Sequence, residues 1–181
     1  MKVRLATVWL GGCSGCHMSF LDLDEFLVDL AGLVEVVYSP VVDVKEYPEN
    51  VDVCLIEGAV CNDDNLELLH KIRQRTKVLI AFGDCAVTGN VPAMRNQLGL
   101  GNAVSVLQRA YIDNAQFNQR VPAAGDGIVP TLLPRVMPVQ EAVHVEHFLP
   151  GCPPSAAHIK AIITHLLSNT SKLEGRQIKF G

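Results

Sequence analysis

Three apolar runs in this chain each break off at a glycine standing beside a cysteine. Val3 to Trp9 leads into Leu10-Gly11-Gly12-Cys13-Ser14-Gly15-Cys16, Lys77 to Phe82 into Gly83-Asp84-Cys85-Ala86, and Val143 to Leu149 into Pro150-Gly151-Cys152-Pro153-Pro154. Runs of this length and apolar content read as buried strands. Glu35 to Pro40 and Val51 to Ile56 read as two more, the second closed by Glu57-Gly58-Ala59. Helical patterns stand between them. Leu23, Phe26, Leu27 and Leu30 share one face, Asn62 is placed to cap a helix that turns Leu66, Leu69 and Ile72 inward, and Ile159, Ile162, Ile163, Leu166 and Leu167 form a stripe on a last helix whose first turn suits Pro153 and Pro154. Strands alternating with helices at this spacing predict an α/β fold, a doubly wound parallel sheet with helices on both faces.

In a parallel sheet the carboxyl ends of all strands lie along one edge, where ligands of such folds bind. Cys13, Cys16, Cys85 and Cys152 are therefore expected to converge. The helix start after Cys13 offers free N–H groups and a positive dipole end, which predicts thiolate rather than thiol there. Four thiolates with glycine nearby for close approach fit a [4Fe–4S] cluster. A four-cysteine zinc site is the first alternative, although structural zinc more often pairs two Cys-x-x-Cys knuckles and only one occurs here. A thioredoxin-like dithiol at Cys13 and Cys16 is the second, and it leaves Cys85 and Cys152 without a role.

The remaining candidates have plainer readings. Cys54 alternates within a strand and is expected to be a small buried hydrophobe, and Cys61 to be a loop residue just ahead of the Asn62 cap. Glu57 at a strand end relays protons, bonds a partner's backbone or caps local N–H groups. His17 either tunes a cluster through its ring N–H or is a solvated or interface histidine. His70, His144, His147, His158 and His165 have no metal-ligand spacing. Gly99-Leu100-Gly101-Asn102-Ala103-Val104 imitates a dinucleotide fingerprint, but no strand leads in and Val104 stands where a small residue belongs. The stretch from Val87 to Pro138 is expected to be irregular and partner-facing, with one helix near Ala103 to Tyr111.

Of the 181 residues 49% are apolar and 19% charged, below the roughly 25% charged of an average soluble protein, so some apolar surface is expected to face a partner. A formal charge of -4 without a basic run argues against nucleic acid. No apolar run reaches the roughly 20 residues of a membrane span. With no visible export signal, a cytoplasmic location is expected, where cysteines serve as ligands or redox groups. One domain is expected over 1–167, with a polar tail at 168–181.

The four cysteines, with Glu57-Gly58-Ala59, Phe82-Gly83-Asp84-Cys85-Ala86 and Pro150-Gly151-Cys152-Pro153-Pro154, resemble the small subunit of nickel–iron hydrogenases over about Val3 to Leu166. More narrowly, Ala6-Thr7-Val8-Trp9-Leu10, Cys16-His17-Met18-Ser19-Phe20-Leu21-Asp22 and Asp43-Val44-Lys45-Glu46-Tyr47-Pro48 are similar to the small subunit of the bidirectional NAD-reducing enzymes. The resemblance implies a flavodoxin-like domain and a proximal [4Fe–4S] cluster on Cys13, Cys16, Cys85 and Cys152. It implies partners as well: a nickel–iron large subunit and diaphorase subunits carrying flavin and further clusters. It also admits FMN in this subunit. The exported small subunits continue into a second cysteine-rich domain, whereas the cysteines here support one cluster. The related subunit of respiratory NADH:quinone oxidoreductase typically has two adjacent cysteines where this chain has Cys13-x-x-Cys16, a spacing that favours the hydrogenase.

Overall fold

The computed structural model describes residues 2–98, 102–114, 116–117 and 129–168. Its strands are β1 Val3–Trp9, β2 Val34–Tyr38, β3 Val51–Glu57, β4 Val60–Asn62, β5 Thr76–Phe82, β6 Leu132–Met137 and β7 His147–Leu149. Its α-helices are α1 Gly15–Leu21, α2 Phe26–Leu33, α3 Asp63–Arg75, α4 Asp84–Thr88, α5 Asn90–Ala93, α6 Asn102–Gln108, α7 Val139–Ala142 and α8 Ala156–Ser168. Five strands form one parallel sheet in the order β2-β1-β3-β5-β7. Counted in chain order this is 2-1-3-4-5, the flavodoxin-like doubly wound arrangement, whose winding reverses between β1 and β3. The expected fold class is what the chain adopts.

Side chains of the central strands alternate between two cores. Val53, Leu55, Val78, Ile80 and Phe82 face one side with Leu30 of α2 and Ile159, Ile162, Ile163 and Leu166 of α8. Cys54, Ile56, Leu79 and Ala81 face the other with Leu69 and Ile72 of α3 and Val139 of α7. Burial on both faces is why these strands are nearly continuous apolar runs. Asn62 caps α3 as expected, its side chain accepting the Asn65 N–H at 2.8 Å.

The structure corrects several boundaries. The single first helix is two, α1 and α2, because Asp24 adopts φ 48° and breaks the turn between them. Asp22, Asp24 and Glu25 would oppose the dipole of a helix ending there, and they suit the start of the next. The last strand does not begin at Val143. Val139–Ala142 is a short helix, and the Glu146 carboxylate takes the Leu79 N–H at 2.7 Å, so regular pairing starts only at His147. Pro153 and Pro154 precede α8 rather than opening it.

The segment from Val87 to Pro138 also holds β6, which pairs antiparallel with β4. Pro134 within it hides the strand from a sequence pattern and suits a two-stranded edge. The helix foreseen near Ala103 to Tyr111 is α6, followed by a π-turn at Arg109–Asp113. Gly99 to Gly101 and the tail beyond Ser168 lie outside the described residues. No helix among the described residues is long and apolar enough to cross a membrane.

Candidate metal centre

All four candidate cysteines stand beyond carboxyl ends of sheet strands. Cys13 lies in the loop after β1 and is exposed, Cys16 in the first turn of α1 and buried, Cys85 in the first turn of α4, and Cys152, exposed, in the loop after β7. Backbone bonds weld these loops together. Gly83 donates its N–H to the Leu149 carbonyl at 2.8 Å and Asp84 to the Gly151 carbonyl at 2.9 Å, while the Asp84 carboxylate accepts the Gly151 N–H at 2.7 Å. Ser19 of α1 donates to the Pro154 carbonyl at 2.6 Å. The loops of Cys16, Cys85 and Cys152 are thus tied to one another.

Glycine is required at two points of this edge. Gly83 has φ +85°, and a Cβ there would stand 2.2 Å from Cys16 Sγ, so the sulfur rests against bare backbone. Gly58 has φ +93°, and a Cβ there would meet the Leu10 carbonyl carbon at 2.8 Å. That contact lets Gly11 and Ala59 exchange N–H···O bonds of 2.9 and 2.8 Å across the β1–β3 switch point. The crevice in which flavodoxin-like sheets take their ligand is bridged by backbone here. The FMN considered above therefore gains no support; a cavity of about 20 Å³ lies instead in the apolar core under α8, lined by residues such as Leu55, Ile80 and Ile163.

The four thiols are electrostatic neighbours. Burial first, then Glu57, Cys85, Cys13 and Cys152 together push the Cys16 thiol up to about 12. Burial, then Cys152 and Cys13, raise Cys85. This overturns the expectation that the helix start would favour thiolate at Cys16. The N–H groups at the head of α1 are already taken, because Glu57, only 2% exposed, accepts from Cys16 N–H at 3.3 Å and His17 N–H at 3.0 Å. Metal must displace the proton on binding, and a cationic centre would turn the mutual repulsion of the thiolates into attraction. The donor set, all sulfur around a glycine-lined edge, fits an iron–sulfur group.

Glu57 is a cap, one of its three anticipated roles. Its carboxylate also bonds Nδ1 of His17, whose ring packs edge-on to Trp9 at 5.3 Å and against Phe82 at 5.9 Å. His17 is thus a held, largely buried residue rather than a solvated one, and its Nε2 is buried without a hydrogen bond among the described residues. Cys54 is fully buried, as expected. Cys61 is not a loop residue: it lies on β4, its Sγ directly beneath Gly11, where an added Cβ would be 2.1 Å away, and close enough to Cys85 to feel its charge. Nothing in the sequence near Cys61 marks that proximity, because Gly11 is fifty positions earlier.

The described geometry has counterparts in known proteins. A family model described as NADH ubiquinone oxidoreductase, 20 Kd subunit, matches residues 13–166, from the first of the four cysteines to the last buried turn of α8. The chain belongs to this family. Within the 20 Kd subunit family it is 46% identical to a vhu F420-non-reducing hydrogenase subunit from Methanococcus voltae over 84% of this chain and 52% of that protein. It is 37% identical to the NAD-reducing hydrogenase HoxS subunit delta of Cupriavidus necator over 92% of this chain and 79% of that one. Among solved structures, a chain of an NAD+-reducing [NiFe]-hydrogenase in the H2-reduced state superposes with a TM-score of 0.88 at 40% identity, covering 100% of this chain and 96% of that chain. The resemblance to hydrogenase small subunits drawn from the motifs is thus matched across the whole chain. The chain spans about half the length of its F420-non-reducing hydrogenase relatives from Methanococcus voltae and two Methanothermobacter species.

Proposed function

We propose that this chain is the electron-transfer small subunit of an NAD-reducing nickel–iron hydrogenase, with one [4Fe–4S] cluster held by Cys13, Cys16, Cys85 and Cys152. The observation that carries the reading is the welding of three cysteine-bearing loops along one sheet edge, with Cys16 Sγ resting on Gly83. Bound there, the cluster supplies one-electron redox chemistry between the nickel–iron centre of a large subunit and a diaphorase module. The likeness to the HoxS delta subunit and to the NAD+-reducing enzyme chain supports this choice of complex. Residues 1–167 act as one flavodoxin-like domain in this reading.

The chain's own residues do three things. The four thiols hold the group, Gly83 and Gly11 keep the edge shallow, and the apolar side chains of Trp9 and Met18, exposed beside it, offer a dry surface for the large subunit. A relay needs its cofactor close to the next centre and shielded from water, so this edge is where the partner docks. Neither hydrogen activation nor NAD binding is assigned to residues of this chain. A tagged pull-down from cytoplasm tests the complex. Recovery with a nickel-containing subunit and hydrogen-dependent NAD reduction supports the reading, and recovery with only quinone-reductase subunits overturns it in favour of an NADH:quinone oxidoreductase-type complex.

A further inference from the structure

A buried carboxylate that caps a helix is ordinary; here the capped helix begins with a cysteine of the metal centre. Glu57 reaches across from the end of β3, and both of its oxygens accept, Oε1 from Cys16 N–H at 3.3 Å and Oε2 from His17 N–H at 3.0 Å, while Oε2 also bonds Nδ1 of His17. With the ring proton of His17 on Nδ1, every one of these contacts is an acceptance, as an ionised carboxylate, which has acceptors only, makes it. Ser14, in the N-cap position, makes no side-chain bond, so Glu57 does the capping alone.

Two consequences follow for a redox group on Cys16. The N–H groups at the head of α1 point to oxygen rather than to sulfur, and N–H···S bonds are among the factors that set iron–sulfur potentials. A fixed negative charge also stands next to the Cys16 peptide, in a largely buried setting where charges are poorly screened. An arriving electron adds one more negative charge, which Glu57 opposes. With its ring proton on Nδ1, His17 works the other way, drawing on the carboxylate while Trp9 and Phe82 hold the ring in place.

We propose, resting on the relay reading above, that Glu57 and His17 form a charge-setting pair: Glu57 lowers the midpoint potential of the group held by Cys16, and His17 limits that lowering. Both are positioning residues. One electron arrives from the donor centre and the same electron leaves to the acceptor, with no bond made or broken.

The test is a mediated redox titration followed by electron paramagnetic resonance on the purified complex, with iron and acid-labile sulfide measured in each sample. Glu57→Gln, which keeps the shape and loses the charge, should shift the midpoint upward. His17→Leu should shift it downward, and His17→Gln, whose amide N–H can still reach Glu57, should fall between His17→Leu and the parent. Because His17 acts through Glu57, adding His17→Leu to Glu57→Gln should move the potential no further. Shifts of the same sign for Glu57→Gln and His17→Leu, or none with iron and sulfide at parent levels, would overturn the proposal. So would loss of iron and sulfide from all of the variants, which would make the pair an assembly element instead. Absence of sulfide from the unsubstituted complex would defeat the relay reading itself, a different result seen in the same samples.

Discussion

The Asp84 carboxylate accepts the backbone N–H of Gly151 at 2.7 Å while Asp84 returns its own N–H to the Gly151 carbonyl at 2.9 Å. Asp84 precedes Cys85 and Gly151 precedes Cys152, so this reciprocal pair holds two of the four thiols in register. Asp84→Ala should weaken that register by the roughly 1.5–3 kcal/mol of a hydrogen bond to a charged group and lower iron occupancy. Asp84→Asn, whose carbonyl can still accept, should retain more. Iron per chain in the two variants, side by side, is the check.

Two glycines should respond in opposite directions. Gly83→Ala would push a methyl into Cys16 Sγ at 2.2 Å and force φ +85° on an L side chain, and it should abolish iron retention. Gly32, inside α2, has open space where its Cβ would be, so Gly32→Ala should stabilise the chain by about 0.5–1 kcal/mol and leave iron content unchanged. Thermal unfolding and iron analysis of both variants separate a site effect from a helix effect.

How much of this was legible in the chain depended on what buried each residue. Val53, Leu55, Val78 and Ile80 were readable because a strand covered on both faces is apolar throughout, and the cysteines because their strands end in glycine. Tyr47 was not. It lies in a polar connection, yet it is only 2% exposed and its hydroxyl meets Thr76 Oγ1 at 2.6 Å. The Glu57–His17 bond was equally hidden, because it joins positions forty apart through the β1–β3 switch. Local pattern carries periodicity; it does not carry pairings made by topology.

Cys54 tests the division between core and metal-binding thiols. It is fully buried in the middle of β3, its thiol raised by burial against the opposing pull of Tyr47 and Arg73, away from the carboxyl edge. Cys54→Ala should cost on the order of 1 kcal/mol in denaturant unfolding while leaving iron unchanged. Cys13→Ser, Cys16→Ser, Cys85→Ser and Cys152→Ser should each impair the cluster, Cys152→Ser no less than the rest. A catalytic dithiol at Cys13 and Cys16 would instead survive changes at Cys85 and Cys152.

His147 should give the fold a pH-dependent component. It is buried, its Nδ1 makes no hydrogen bond among the described residues, and burial holds its pKa below the ordinary histidine value, with Glu146 opposing and His165 adding to the depression. The folded chain thus resists a proton that the unfolded chain accepts near pH 6.5, so this contribution is complete above that pH and is lost as pH falls below it. Denaturation midpoints between pH 5 and 7.5 should fall with acidity, and His147→Leu should flatten the dependence.

Anaerobic analysis of iron, acid-labile sulfide and zinc in the purified complex, with this chain isolated by tag, decides whether the four thiols hold one iron–sulfur cluster. About four iron and four sulfide are expected for this chain beyond those of its partners, lost together in Cys85→Ser, with no zinc. Stoichiometric zinc without sulfide, or iron and sulfide unchanged by Cys85→Ser, would contradict a cluster there.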